Sequence, residues 1–309
     1  MVTVREQLVD LGYAAGWSAV RAAPEPMARG LFDRVGNRLG ANGGPVQLRK
    51  NLARVIGTSP SAVPESLMRD AMRSYARYWC EAFRLPSMDF VQAAARVHLS
   101  DETLARYHSA LDRGKGVIFA LPHSGNWDMA GVWLVHEQGQ FATVAERLRP
   151  ESLFNRFVAY RESLGFEIFP LSGGEQPPMH ALAERLRAGG VVCLLGERDL
   201  ARHGVPVTFF GEPTRMPAGA AKLAIDTGAT LLPVHHFFGP GATSTILCDA
   251  PVDVSGGVRS ATQAVADAFE RNIAAHPQDW HMLQPLWESD WSAERRARIT
   301  GDGSGAQPA

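Results

Sequence analysis

A chain of 309 residues with 45% hydrophobic residues is long enough for one large or two small domains and can fill a sizeable core. Its 31 basic residues are balanced by 32 acidic ones, and a net charge near −1 argues against a general nucleic-acid binder. Cys80, Cys193 and Cys248 are odd in number, widely separated and free of Cys-x-x-Cys spacing, which excludes a disulfide framework or zinc site from the expectations and suits a reducing cytoplasm.

No stretch approaches the roughly 18 apolar residues of a spanning helix, and the N-terminus has no basic region followed by a cleavable apolar core. Neither secretion nor membrane spanning is expected. The segment 8–20 is nevertheless apolar, with Tyr13 and Trp17 one helical turn apart, and Arg5, Arg21 and Arg29 flank it. Two readings stay open: a helix at the interface of an anionic membrane, inserting Leu8, Leu11, Tyr13 and Trp17, or a core helix with a solvated basic face. Helices follow at 64–83, 89–97 and 101–111, the last two with acidic starts. From Gly116 the pattern alternates, with strands at 117–121, 141–144, 167–170, 191–195, 230–237 and 244–247 and helices at 128–137, 151–164, 178–188, 217–227 and 260–275. The expected class is α/β, a central mixed sheet flanked by helices, with a helical N-terminal layer. One α/β unit is expected over 1–298, made of the helical layer 1–112 and a catalytic core 113–298, before a disordered tail at 299–309.

The strand at 117–121 runs into Pro122-His123-Ser124-Gly125-Asn126-Trp127-Asp128. His123 therefore sits on a strand-to-helix loop at the carboxyl edge of the sheet, where open α/β sheets carry their chemistry, and Asp128 falls at the helix start. Histidine titrates near about 6.5 when unperturbed, so it can serve as a neutral base. The small residues Ser124, Gly125 and Asn126 expose backbone N–H groups suited to an oxyanion. No Gly-x-Ser-x-Gly elbow occurs, and Ser124 is poorly placed as a nucleophile because it adjoins His123. The base must then act on the substrate itself.

Glu197 follows the strand at 191–195 through Gly196, so its carboxylate emerges beside His123 if the two strands are neighbours, where it can fix the imidazole tautomer. Asp128 competes for that task, or instead caps the loop. Arg161 and Arg198 are forked donors suited to substrate phosphate or to structural ion pairs. His235 and His236 alternate faces on a strand and cannot share a metal, while Trp280, His281 and Trp287 read as packing.

His123-x-x-x-x-Asp128 resembles the signature of glycerolipid and lipid A type acyltransferases. Further stretches extend the likeness from Gly116 to Trp291: Tyr160-Arg161-Glu162-Ser163-Leu164-Gly165-Phe166, Leu195-Gly196-Glu197-Arg198-Asp199, Val207-Thr208-Phe209-Phe210-Gly211, and His276 to Trp287. Together they resemble the bacterial lipid A biosynthesis acyltransferase family, and within it the actinobacterial phosphatidylinositol mannoside acyltransferases. The resemblance implies transfer of a long acyl chain, palmitoyl, from acyl-CoA to a mannose hydroxyl of a membrane glycolipid. It implies His123, Asp128 and Glu197 as catalytic, with the motif Asp credited with orienting the His, and Ser124, Asn126, Arg161 and Arg198 as substrate-binding. It implies acyl-CoA as co-substrate, no metal or bound cofactor, no nucleic acid, and a peripheral position on the inner, cytoplasmic face of the plasma membrane. Phe119, Trp127, Trp133 and Phe154 are candidates to line an acyl groove. Two alternatives remain: another glycolipid or phospholipid acceptor, or a lipid-binding homologue without catalysis.

Overall fold

Every run expected as a strand is one in the computed structural model of the chain, which describes residues 16–146, 151–173, 177–199 and 204–300. Strands β1 (Val97–His98), β2 (Val117–Leu121), β3 (Phe141–Ala145), β4 (Phe166–Pro170), β5 (Val191–Leu195), β8 (Thr230–Phe238) and β9 (Ser244–Cys248) form one sheet in the order β1-β9-β8-β2-β5-β3-β4. The pairings of β2 with β5 and β8, and of β3 with β4 and β5, are parallel, whereas β9 runs antiparallel to β8, so the sheet is mixed. β6 (Val205–Phe209) and β7 (Glu212–Met216) form a separate antiparallel hairpin whose turn residues Phe210 and Gly211 both have positive φ, 48° and 74°, as a tight two-residue hairpin turn demands. Pro206 and Pro213 disguise this hairpin in the sequence; a two-stranded ribbon has only edges, so it tolerates them.

Residues 16–22 are helical, and after them come the helices α1 (Glu25–Gly40), α2 (Val46–Val55), α3 (Glu65–Arg84), α4 (Phe90–Ala94), α5 (Asp101–Asp112), α6 (Trp127–Gln138), α7 (Glu151–Glu162), α8 (Pro178–Arg187), α9 (Gly219–Thr227), α10 (Gly257–Ala275) and α11 (Ala293–Thr300). Strand periodicity sorts the core. Ile118, Ala120, Val192 and Leu194 pack toward α8, α9 and α10, while Val117, Phe119, Leu121 and Val191 face α5, α6 and α7. Both faces of the sheet are thus covered, as its largely parallel pairing requires. Helix α6 is buried along Asp128 to Leu134, which explains why its sequence is apolar all round rather than amphipathic.

Three expectations shift. The helix expected at 89–97 stops at Ala94, because Val97–His98 pairs with β9. Residues 299–300 of the expected tail complete α11, and the rest of that tail lies outside the described residues. Leu8, Leu11 and Tyr13 also lie outside the described residues, but Trp17 does not face solvent: its Nε1 donates to the Phe83 carbonyl at 2.7 Å and its ring meets Phe83, Phe157 and Tyr160. Among the described residues no helix is long and apolar enough to cross a membrane.

Helix α1 lies on α3 through Gly36 and Gly40, where an added Cβ would stand 2.6 Å from the Met72 carbonyl oxygen and 2.5 Å from the Arg69 Cα. A methyl group there pushes against backbone, which cannot yield locally. Gly40→Ala should therefore destabilise the fold by about 1–3 kcal/mol in urea denaturation, whereas Gly30→Ala, with nothing within 4 Å of the new Cβ, should be neutral or mildly stabilising. Equal effects would show that α1 does not depend on this close approach.

Candidate active site

The site originates in strand register. The last residues of β2 and β5, Leu121 and Leu195, are paired, and the Gly196 N–H extends the ladder by donating to the Leu121 carbonyl at 2.8 Å. His123 and Glu197 lie two positions beyond each strand end and are thereby delivered side by side. Glu197 Oε1 accepts from the His123 backbone N–H at 2.6 Å, lies 2.9 Å from His123 Nδ1, and receives a longer contact of 3.4 Å from Trp280 Nε1. The Glu197 side chain is completely buried. Burial pushes its carboxyl upward, but the His123 charge and the hydrogen bonds from His123 outweigh this and hold it below its ordinary range. An ionised Glu197 can only accept, so His123 Nδ1 carries the proton and donates, leaving a lone pair on Nε2. The His123 side chain keeps about 25% of its surface exposed.

The loop beneath is held by its neighbours. Ser124 N–H donates to the Pro122 carbonyl, Gly125 N–H to the Asp279 carbonyl and Asn126 N–H to His236 Nδ1, each at 2.8 Å. Ser124 Oγ donates to the His236 carbonyl at 2.8 Å, and its one proton being spent there, it accepts from His235 Nε2 at 3.1 Å. Asn126 caps α6 by accepting the Met129 N–H at 3.0 Å and donates through Nδ2 to Glu81 at 3.0 Å. The N–H groups expected to form an oxyanion hole are consumed in fixing the loop, and the Ser124 and Asn126 side chains are likewise engaged within the protein. Gly125, at φ 57°, approaches His236 so closely that a Cβ would stand 2.2 Å from its Nδ1.

Asp128 does not meet His123. In the first turn of α6 it accepts from Arg161 Nε of α7 at 2.8 Å and from the Tyr78 hydroxyl of α3 at 3.2 Å. Burial works against the Arg161 charge, but Asp128 overrides it and raises the guanidinium further above its ordinary value. Nor does Asp128 act as the helix cap, which is Asn126. Arg198 stands 3.6 Å from Glu146 across the cleft.

His281, read from sequence as packing, is part of the wall. Its backbone N–H donates to the His123 carbonyl at 2.8 Å. Ser74 donates its single proton to Asp279 Oδ1 at 2.6 Å, so at 3.0 Å it accepts from His281 Nε2. His281 Nδ1 is left as a buried acceptor without a protein partner. The stretch 276–287 signalled this region, but nothing in it revealed that Trp280 bridges to Ser124 and brings His281 beside His123.

Two cavities share a wall beside His123, which lines the larger of them. An open cleft with about 1920 Å³ of free space is lined by Tyr75, Trp79, His123, Phe154, Glu146, Arg198 and His281. An apolar tunnel with about 780 Å³ runs between the sheet and α6, past Phe119, Leu121, Trp133, Cys193, Ile246 and Cys248. Trp127, Val144, Arg161, Leu194 and Leu195 border both. Of the residues expected along an acyl groove, Phe119, Trp127 and Trp133 line the tunnel and Phe154 the cleft. No group of His, Cys, Asp and Glu suited to a metal occurs among the described residues.

A mixed α/β sheet carrying a His-x-x-x-x-Asp loop at its edge is the frame of an acyltransferase, and the bacterial lipid A biosynthesis acyltransferase family model matches residues 3–289. The chain belongs to this family and is an acyltransferase. It is similar to the phosphatidylinositol mannoside acyltransferase of Mycolicibacterium smegmatis, 58% identical over 294 residues covering 95% of this chain and 96% of the relative. It is also similar to phosphatidylinositol mannoside acyltransferases of two Mycobacterium tuberculosis strains, CDC 1551 and H37Rv, at 56% and 55% identity over 297 residues, covering 96% of this chain and 94% of each relative.

The buried histidines make stability depend on pH. Burial, reinforced by neighbouring positive charge, holds His235, His236 and His281 down to about 3, against an ordinary value of 6.5. All three are neutral in both states above about 6.5; below it the unfolded chain takes up protons that the folded one refuses. Stability is therefore full above that pH and falls progressively as pH drops toward about 3. The urea midpoint should be clearly lower at about pH 5 than at about pH 7.5; an unchanged midpoint would contradict the neutral buried network.

Proposed function

We propose that this enzyme moves a palmitoyl group from acyl-CoA to a mannose hydroxyl of a phosphatidylinositol mannoside, with His123 as general base. The observation carrying the reading is the Nε2 lone pair of His123, freed by Glu197, in a cleft that shares the Trp127 wall with an apolar tunnel. Apolar lining suits a long acyl chain, and Glu146, Arg198 and His281 on the wall of the larger cleft suit a glycolipid headgroup. The names of relatives at 55–58% identity support the acceptor.

In the proposed step the acceptor oxygen bonds to the thioester carbon as His123 Nε2 takes its proton. The tetrahedral adduct collapses with cleavage of the C–S bond, and the leaving thiolate receives that proton from His123. Glu197 stabilises the imidazolium in between. No acyl-enzyme is needed. Burial drives the Cys193 thiol of the tunnel far up, away from the reactive thiolate. Arg161, fixed by Asp128, and Arg198 are the proposed contacts for substrate phosphate, while Glu146 and His281 Nδ1 offer acceptors to sugar hydroxyls. Neither a metal nor a bound cofactor enters this scheme.

The membrane contact is proposed on α1. Met27, Leu31, Val35 and Leu39 recur every fourth residue, all 46–68% exposed, with Val46 beyond them at 73%. The exposed Arg34 and Arg38 stand among them, matching an apolar stripe with cations for anionic headgroups. This supports peripheral docking on a membrane surface, proposed to be the cytoplasmic face of the plasma membrane.

His123→Ala should lose about 100- to 10,000-fold in transfer while the protein stays folded, and Glu197→Gln should lower kcat in the same direction. Near-normal turnover of purified His123→Ala would remove the mechanism. Leu31→Glu combined with Leu39→Glu should reduce co-sedimentation with phosphatidylinositol vesicles without unfolding the protein, and salt should weaken binding of the unmodified chain. Equal binding of both proteins would place the membrane contact elsewhere.

A further inference from the structure

Trp127 opens α6, and its ring is a wall common to the cleft and the tunnel. It packs on Tyr78 with ring centroids 4.1 Å apart and meets the His123 imidazole nearly edge-on at 5.4 Å. Its Nε1–H is buried and has no partner. Four other tryptophans are paired: Trp17 donates to the Phe83 carbonyl, Trp280 to Glu197, Trp287 to the Phe209 carbonyl and Trp291 to the Leu286 carbonyl. Native proteins pair nearly all buried donors, so an indole N–H left alone beside the base calls for an acceptor that arrives with the substrate.

The reacting geometry indicates which acceptor. A thioester whose chain fills the tunnel and whose carbon lies within reach of a hydroxyl at His123 Nε2 must place its carbonyl at the junction, which Trp127 borders. Negative charge grows on that oxygen during attack, and a donor already in place in a water-poor site stabilises it without reorganisation. The N–H groups of Ser124, Gly125 and Asn126 are already committed to the Pro122 carbonyl, the Asp279 carbonyl and His236 Nδ1.

Resting on the acyl-CoA reading above, we infer that the Trp127 Nε1–H donates a hydrogen bond to the thioester carbonyl oxygen and to the oxyanion it becomes, which makes Trp127 a catalytic residue. As the acceptor oxygen bonds to the carbonyl carbon, the π electron pair moves onto the carbonyl oxygen and is held by the indole N–H. When the C–S bond breaks, that pair re-forms the carbonyl of the ester product, and the indole N–H keeps its proton throughout.

The test replaces Trp127 by Phe and, separately, by benzothienylalanine, which retains the bicyclic shape with sulfur in place of N–H. In both variants kcat for palmitoyl-CoA should fall by about 100-fold, with KM rising several-fold at most. Two unreactive donors separate the causes: the S-alkyl thioether of CoA, which lacks the carbonyl, and the ketone in which a methylene replaces sulfur. Affinity for the ketone should drop several-fold in the benzothienylalanine protein while affinity for the thioether stays the same. Unchanged turnover by that protein, or equal losses for both analogues, would overturn the inference and assign Trp127 to packing alone. If the unmodified enzyme binds neither analogue, the acyl-CoA donor itself fails, and the inference with it.

Discussion

Parallel pairing of β2 with β5 is the constraint on which the site depends. Because Leu121 and Leu195 are in register, the loops that follow leave the sheet side by side, and Glu197 Oε1 closes on both the backbone and the ring of His123. A completely buried carboxylate is costly unless it is paired. In the proposed mechanism the pairing sets the protonated nitrogen of the imidazole and stabilises the charge that His123 acquires on taking a proton. A slip of register by one residue would turn Glu197 to the other side of the sheet and leave the base unoriented.

A second layer fixes the first. The turn from His123 to Asn126 is tied by hydrogen bonds to β8, to Asp279 and, through His281, to the arm that follows α10. Those bonds keep His123 in one place and also engage the loop's backbone donors, so the proposed oxyanion draws on another donor. The Asp128–Arg161 pair, with Tyr78 on its remaining oxygen, joins α6, α7 and α3 around the tunnel mouth. The motif aspartate thus belongs to the architecture that holds α6 against the tunnel, one step removed from the base.

How much of this was legible follows the range of each interaction. The strand at 117–121, the loop position of His123 and its spacing to Asp128 are local and could be read directly. Glu197 could be read conditionally, since its role needs β5 beside β2, although β3 and β4 intervene in sequence. The destination of Asp128 could not be read, because Arg161 approaches from another helix. The same holds for Ser124, Asn126 and Trp17, whose partners His236, Glu81 and Phe83 belong to remote elements. The β6–β7 hairpin was hidden by prolines at edges that only the completed ribbon defines. The exposed stripe on α1 is periodic and visible in the sequence, but its exposure follows from Gly36 and Gly40 turning the opposite face onto α3.

The tautomer of His123 can be observed directly by ¹⁵N NMR of protein labelled at histidine, with the His123 resonances assigned by their loss in His123→Ala. Wherever the ring holds a single proton, the Glu197 contact predicts a protonated Nδ1 and an unprotonated Nε2 for His123, and redistribution of that proton in Glu197→Gln. A His123 ring protonated at Nε2 in the unmodified enzyme would contradict the arrangement, since the nitrogen facing the substrate would then have no lone pair with which to act as a base.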